Sequence, residues 1–149
     1  MATIYLDDLE KHKHLDCRPI LMTKSAIVDF AREFDPQPFH IDEGAAGQSM
    51  FNGLVASSLH TLSACTRVVV EAQQGVAVMS GVGMEEVKMF LPVRPGDTFT
   101  VQAEWTDLRP SRSKPDRGFA TLKCSVANQR GEQVLEYGYR YLIARNVEN

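Results

Sequence analysis

The stretch LVASSLHTLSACTRVV (Leu54–Val69) decides the fold, because apolar side chains cover much of the circumference of a helix drawn through it. No charged residue occurs between Gly44 and Thr66. The apolar members of the helix are Leu54, Val55, Ala56, Leu59, Leu62, Cys65, Val68 and Val69. Serine, threonine and histidine side chains interrupt the run too often for a membrane span. The sequence therefore predicts a helix that is buried in surrounding protein.

Three segments after this helix alternate apolar and polar side chains, a pattern typical of strands with one buried face. They are residues 98–105, 121–126 and 135–141, and NQRGE (128–132) between the last two is typical of a hairpin turn. Residues 76–91 also favour a strand, in which Gly81 and Gly83 indicate a bend or a close backbone approach. A further short strand is expected within Arg18–Met22. A chain of 149 residues suits one domain, and we predict an α+β domain (1–149) whose antiparallel sheet wraps a central helix.

The stretch FDPQPFHIDE (Phe34–Glu43) combines two prolines with acidic and basic side chains. A short amphipathic helix precedes it behind a Thr23 cap, and Pro36 ends that helix at Asp35 because a residue before proline disfavours the α conformation. Asp42 and Glu43 are expected to be structural, since carboxylates favour the start of a helix. A stiff loop therefore carries titratable groups on a fixed support.

Composition excludes several other classes of function. The net charge of −3 and pI near 5.8 disfavour a nucleic-acid partner, and no segment predicts a membrane partner. Three widely spaced cysteines suit reduced thiols, so we expect a cytoplasmic protein without a signal peptide. His12 and His14, like His40 and Asp42, could each form half of a metal site, but neither pair has a third ligand nearby in sequence. No metal site is predicted.

Four segments in order resemble the MaoC-like dehydratases, which include the (R)-specific enoyl-CoA hydratases. They are FAREFDPQPFHIDEGAA, FNGLVASSLHTLS, LPVRPGDTFTVQAEW and RPSRSKPDRGFATLKCSVANQRGEQV, and the likeness extends over roughly residues 25–144. The resemblance implies a hot-dog fold, in which an antiparallel sheet wraps a long central helix. It also implies a homodimer or a higher multiple, active sites at the subunit interface, and acyl-CoA or acyl-carrier thioester substrates. No cofactor is expected, because CoA would be part of the substrate.

By resemblance, Asp35 and His40 form the acid–base pair that adds water to a 2-enoyl thioester and so yields an (R)-3-hydroxyacyl thioester. Five extended residues would span roughly 17 Å, so a turn after Pro38 must bring the two groups together. A purely structural alternative is that Asp35 caps the following turn and His40 is a surface histidine.

The resemblance also suggests secondary site residues. Gly53 is expected to permit close approach of the thioester oxygen, near backbone N–H groups at the start of the buried helix. In the family a His-Gly pair usually follows this turn, whereas Ser57 and Ser58 stand at the matching positions here. Ser63 matches a serine that assists the site in some (R)-hydratases, although serines within helices are more often only packed polar groups.

The basic segment RPSRSKPDRG (109–118) is the densest positive cluster in the chain. We expect Arg112 and Lys114 to contact CoA phosphates, although a short charge cluster is usually only a solvated loop. Two other functions stay open: a hot-dog acyl-CoA thioesterase, and a non-catalytic acyl-CoA binding module. The sequence does not specify the acyl chain, nor CoA against an acyl-carrier protein.

Overall fold

A computed structural model describes residues 2–148 of the chain. Within this range a 3₁₀ helix (Leu6–His12) precedes four α-helices and six strands. The α-helices are α1 (Lys24–Phe34), α2 (Pro38–Ile41), α3 (Glu43–Gly47) and α4 (Ser58–Ala72). The strands are β1 (His14–Asp16), β2 (Ile20–Leu21), β3 (Val78–Met89), β4 (Thr98–Pro110), β5 (Arg117–Ala127) and β6 (Gln133–Ala144).

Helix α1 forms as its sequence predicts. The Thr23 side chain accepts a hydrogen bond from the Ala26 N–H at 3.2 Å, which satisfies one of the free donors of the first turn. Ile27 and Ala31 are buried on one face. The helix ends at Phe34, and Asp35 takes a non-helical conformation directly before Pro36. The predicted cap and end of this helix are both confirmed.

The strands form one antiparallel sheet in the order β1-β4-β5-β6-β3, with β2 also paired to β4. The predicted strands are all present, and β4, β5 and β6 extend beyond their predicted limits. Between β5 and β6, the Asn128 N–H donates to the Glu132 carbonyl at 2.9 Å and closes the predicted turn. The predicted short strand near residue 20 is the two-residue β2.

The core lies between one face of the sheet and one side of α4. The predicted inward residues of β4 are all buried: Phe99, Val101, Ala103 and Trp105. Thr61, Cys65, Val68 and Val69 are the buried residues of α4. Burying each of the large apolar side chains stabilises the fold by roughly 1.5–3 kcal/mol. The predicted α+β architecture, a sheet around a helix, is confirmed.

The prediction of a helix buried on all sides is wrong for the single chain. Helix α4 begins at Ser58 rather than Leu54, because residues 54–57 are extended and Ser57 is the N-cap. Leu59 keeps 56% of its surface exposed and Val70 keeps 50%. The sheet covers one side of the helix and leaves these apolar side chains uncovered.

Strand β3 forms one edge of the sheet. It pairs with β6 on one side, and no other strand among residues 2–148 pairs with its second side. A Cβ atom at Gly81 would lie 2.7 Å from the Tyr139 ring, and the pairing register shifts between Gly81 and Gly83. Of the two predicted alternatives, the close approach is confirmed at Gly81. Seven exposed apolar side chains lie on or beside this edge: Val78, Met79, Val82, Met84, Val87, Met89 and Phe90.

Among residues 2–148, no helix is long and apolar enough to cross a bilayer. Cys17, Cys65 and Cys124 are all free thiols.

Candidate active site

Asp35 and His40 lie together at the junction of α1 and α2. His40 Nε2 is 3.4 Å from Asp35 Oδ2, and the two side chains are only 7% and 21% exposed. Pro38 occupies the first turn of α2, where its fixed φ favours the helix and its missing N–H costs nothing. That turn places His40 beside Asp35. The structure thus brings the predicted acid–base pair together, while its catalytic role stays a prediction.

The orientation of His40 is fixed by the backbone of residue 55. His40 Nδ1 lies 2.6 Å from the Val55 carbonyl oxygen. Since a carbonyl oxygen can only accept, Nδ1 carries a hydrogen, and in the neutral ring Nε2 is the unprotonated nitrogen. The reactive nitrogen therefore faces the carboxylate of Asp35. His40 is buried, which argues against the alternative of a surface histidine.

Asp35 is held as a carboxylate by hydrogen bonds. The Ser57 side chain makes the strongest contribution, followed by Gln37, whose Nε2 donates to Asp35 Oδ1 at 3.0 Å, and these contacts lower the pKa of Asp35. The charge of His40, when protonated, acts in the same direction. Asp35 is therefore suited to accept a proton rather than to begin as a proton donor.

Residues 55–57 connect this pair to the rest of the fold. The Val55 N–H donates to the Phe39 carbonyl at 3.2 Å, and the Ala56 N–H donates to the Val93 carbonyl at 2.8 Å. Ser57 then caps α4, since its Oγ accepts from the Leu59 N–H at 3.2 Å. The same three residues therefore contact both titratable groups and start the central helix.

A cavity of about 410 Å³ opens beside the pair. Asp35, His40, Ser57 and Ser58 contribute its polar lining together with Gln37. Apolar residues supply the rest: Phe39, Phe51, Val55, Ala56, Leu59, Met89, Phe90, Leu91, Pro92 and Val93. A largely apolar cleft with a few converging polar groups is the usual form of a small-molecule site.

The first residue of α4 lies at the wall of this cavity. Among residues 2–148, no group accepts a hydrogen bond from the N–H of Ser58, a residue that lines the cavity. The first N–H groups of a helix lack intrahelical partners and lie at the positive end of the helix dipole. This position suits an oxygen that becomes negatively charged during a reaction.

Two predicted residues are not brought into the cavity. The Gly53 N–H donates to the Ala46 carbonyl at 3.0 Å, and Gly53 does not line the cavity. Its positive φ of 155° and the nearby Arg94 side chain explain why glycine suits this turn. Ser63 is exposed, and its hydroxyl donates to the Leu59 carbonyl at 2.8 Å within the helix.

Arg112 and Lys114 lie in the exposed turn between β4 and β5. At this end of the sheet Arg117 pairs with Ala144, and β3 begins there. The cavity borders the other end of β3, where Met89 pairs with Leu135. A strand of 12 residues spans about 40 Å. Within one chain, the basic loop and the Asp35–His40 pair are therefore at opposite ends of the sheet.

Asp42 is structural, as predicted, because its Oδ1 accepts from the Ala45 N–H at 2.7 Å and caps α3. Glu43 follows it in the first turn of α3 and pairs with Lys24. Within residues 2–148, no three His, Cys, Asp or Glu side chains are placed to hold a metal ion.

Sequence reasoning noted Ser57 only as a departure from a family pattern and missed its contact with Asp35. The available signal was a serine directly before an apolar helical run, which is typical of an N-cap. That signal places Ser57 at the start of α4. The contact with Asp35 depends on how α1 packs, and no local pattern encodes it.

Comparison with known proteins assigns the family. A model of the MaoC like domain matches residues 9–127. The uncharacterized protein YdeM of Bacillus subtilis (strain 168) is 31% identical over 141 residues, which cover 94% of this chain and 99% of YdeM. The crystal structure of a MaoC-like dehydratase from Rhodospirillum rubrum is 38% identical with a TM-score of 0.81, covering 89% of this chain and 91% of that one.

Two further structures are similar. An Archaeoglobus protein described as a monoamine oxidase regulatory protein is 28% identical with a TM-score of 0.89, covering 98% of this chain and 97% of that one. The (R)-hydratase of A. caviae, at 20% identity and a TM-score of 0.69 over 85% of this chain and 91% of that one, shows likeness of fold alone. The chain has the hot-dog fold and belongs to the MaoC-like domain family.

Proposed function

We propose that this protein is a hydratase/dehydratase that adds water reversibly to 2-enoyl thioesters, such as enoyl-CoA, and forms the (R)-3-hydroxyacyl product. The observation that carries the proposal is the 3.4 Å contact between His40 Nε2 and Asp35 Oδ2 at the wall of an apolar cavity. Two titratable groups beside one cleft can serve as base and acid for a single water. The names of the R. rubrum dehydratase and the A. caviae (R)-hydratase agree with this chemistry.

Asp35 is the base in this proposal, since its lowered pKa keeps it ionised before reaction. The carboxylate accepts a proton from water as the water oxygen bonds to C3 of the substrate. The C2–C3 double bond breaks, and electron density moves through C2 to the thioester oxygen. His40, protonated on both nitrogens, gives the Nε2 proton to C2 and keeps its Nδ1 bond to Val55. Transfer of the proton from Asp35 to His40 restores the starting state.

The thioester oxygen gains negative charge during this step and needs a donor. We assign that role to the Ser58 N–H at the start of α4, which has no acceptor within residues 2–148, rather than to the Gly53 N–H, which is bonded to Ala46. The peptide dipoles of the 15-residue helix α4 add up to a partial positive charge at this N-terminus. Removing a donor of this type typically lowers kcat by about 10²-fold to 10³-fold.

The rest of the cavity suits an acyl chain. Its lining is largely apolar and contains the aromatic side chains Phe39, Phe51 and Phe90. Burying methylene groups against such surfaces contributes about 0.8 kcal/mol for each group. The substrate class is therefore a thioester with an apolar acyl group.

The exposed apolar edge supports a dimer. One side of β3 pairs with no strand of the described residues 2–148, and apolar side chains are exposed along its length. Leu59 and Val70 add apolar surface on α4. Edge strands of this kind associate with other strands unless they are protected. We propose that two copies pair through β3 about a two-fold axis, the commonest symmetry of oligomers.

Such pairing would join the basic loop to the active site across the interface. In an antiparallel pair, the Met89 end of one β3 lies beside the Val78 end of the other. The partner's 111–116 loop would then lie toward the cavity of the first chain. We retain Arg112 and Lys114 as proposed contacts for CoA phosphates, but in the active site of the neighbouring subunit.

The test is to follow absorbance of the enoyl thioester band with a panel of short, medium and branched 2-enoyl-CoA substrates. Loss of the band without release of free CoA supports the hydratase. Release of free CoA from saturated acyl-CoA would instead support the thioesterase alternative. Binding without turnover of any substrate would leave the non-catalytic module.

A further inference from the structure

We infer that Ser57 is a positioning residue, which holds the Asp35 carboxylate in place and caps helix α4 with the same hydroxyl. The inference rests on the proposed function, because it states that Ser57 positions the proposed base. Ser57 is completely buried and lines the cavity next to Asp35 and His40. A buried hydroxyl requires hydrogen-bond partners, so both its donor and its acceptor capacity matter.

The hydroxyl can serve both partners at once. Its oxygen accepts from the Leu59 N–H at 3.2 Å, and this bond leaves the single hydroxyl proton free to donate. Asp35 lines the same cavity, and we assign its carboxylate as the acceptor of this proton, which agrees with the lowered pKa of Asp35. A hydrogen bond to an ionised carboxylate is stronger than one between neutral groups.

The backbone around Ser57 is itself fixed. The Thr61 N–H donates to the Ser57 carbonyl at 3.1 Å in the first turn of α4. The Ala56 N–H on the other side is bonded to Val93. Ser57 therefore presents its hydroxyl from a rigid support, which is what precise placement of a reacting group requires.

Asp35 gains its position from this contact. The residue follows the last turn of α1, and its side chain retains some exposure. Val55 orients His40 through its carbonyl, and Ser57 holds Asp35 through its hydroxyl, with one residue between them. The spacing of Val55 and Ser57 thus contributes to the separation of the acid–base pair.

The competing interpretation is that Ser57 only caps α4. Glycine separates the two roles, because it is nearly as good an N-cap as serine but lacks the hydroxyl. Ser57→Gly should retain the helix and lose the contact with Asp35. Ser57→Thr should restore both, since it returns a hydroxyl to the same position. Thr23→Gly is the matched control, since Thr23 caps α1 with its hydroxyl at the end of that helix away from Asp35.

The experiment is a ¹³C NMR titration of the Asp35 carboxyl, assigned by the signal that Asp35→Asn removes, combined with the pH dependence of kcat/KM for a short 2-enoyl-CoA. In Ser57→Gly the Asp35 pKa should rise, the acid limb of kcat/KM should move to higher pH, and kcat should fall by about 10-fold or more. Thr23→Gly should match the parent in both measurements, and Ser57→Thr should return the Asp35 pKa toward its parent value.

An unchanged Asp35 titration in folded Ser57→Gly would overturn the inference and leave Ser57 as a cap only. A shifted titration together with unaltered kcat would also overturn it, because the contact would then not serve catalysis. If the parent hydrates no enoyl thioester, the proposed function fails, while the NMR titration still decides whether Ser57 holds Asp35. The two failures are therefore distinguishable.

Discussion

The Val55 carbonyl oxygen accepts a hydrogen bond from His40 Nδ1 at 2.6 Å, and this contact turns the other ring nitrogen toward Asp35. A backbone acceptor cannot titrate, so it holds the ring in one orientation whether His40 is neutral or protonated. His40 can therefore gain and lose a proton at Nε2 without turning. This is the property that a proton donor in a repeating reaction needs.

His40→Ala should lower kcat for hydration by about 10²-fold or more, because the acid that protonates C2 is lost. Steady-state kinetics on the enoyl thioester band measures the effect, and circular dichroism confirms that the variant is folded. His12→Ala changes an exposed histidine outside the cavity and serves as the control. Turnover near the parent value in folded His40→Ala would reject the assignment of His40.

The pH dependence of the site should respond to Gln37. Its Nε2 donates to Asp35 Oδ1 at 3.0 Å and helps to lower the pKa of Asp35. Because the pKa of Asp35 is depressed, its contacts stabilise the fold at pH values above the ordinary pKa of aspartate. This stabilisation is lost as the pH falls through the folded-state pKa. Gln37→Ala should raise the Asp35 pKa, in a ¹³C titration, by less than Ser57→Gly does. A larger effect of Gln37→Ala would reverse the order of the two contacts.

The sequence predicted the helices and strands that depend on local pattern. Period-two alternation in residues 98–105 identified a buried face that the structure confirms at Phe99 and Trp105. The extent of α4 was less predictable. Apolar residues before Ser57 continue the helical pattern, but they form an extended segment bonded to Phe39 and Val93, and those tertiary contacts override local periodicity.

The site was predictable to the same degree. The family resemblance named Asp35 and His40 as a pair, and their spacing alone allowed a separation of roughly 17 Å. The turn expected after Pro38 is the one-turn helix α2, which brings the two side chains together. The contact of Ser57 with Asp35 joins the C-terminal end of α1 to the N-terminal end of α4, and no sequence period encodes it. The distance from the cavity to Arg112 and Lys114 likewise depends on strand register across the whole sheet.

The dimer proposal predicts that charge on the β3 edge prevents association. Val82→Asp combined with Met84→Asp should convert a dimer, or a multiple of one, into a monomer, because two carboxylates from each subunit would be buried across the interface. Light scattering measures the mass directly. Val147→Asp is the matched control, as Val147 is an exposed apolar residue outside β3. A stable parent monomer with full activity would contradict the interface model.

Neutralising the basic loop should weaken binding of CoA substrates. Arg112→Ala with Lys114→Ala should raise KM for an enoyl-CoA more than it lowers kcat, and the effect should shrink as salt screens the exposed charges. An enoyl-pantetheine thioester, which lacks the nucleotide phosphates, should show no such change. Equal KM values for parent and double variant at low salt would leave the loop without this role.

Mixed dimers test whether the loop acts across the interface. Asp35→Asn subunits have an intact loop, and loop-neutralised subunits have an intact Asp35. If the loop serves the neighbouring site, a mixed dimer contains one complete site and should regain the parent KM for enoyl-CoA. If the loop serves its own chain, no complete site forms, and KM should stay elevated.

The central claim is that Asp35 activates water for addition to a 2-enoyl thioester. Asp35→Asn keeps the size of the side chain and removes the base, and Asp29→Asn makes the same change at an exposed position of α1. The decisive measurement is the hydration rate of a short 2-enoyl-CoA by the parent and these two variants, with folding checked by circular dichroism. We predict a loss of about 10²-fold or more in Asp35→Asn and none in Asp29→Asn. A folded Asp35→Asn variant that hydrates the substrate at the parent rate would contradict the claim.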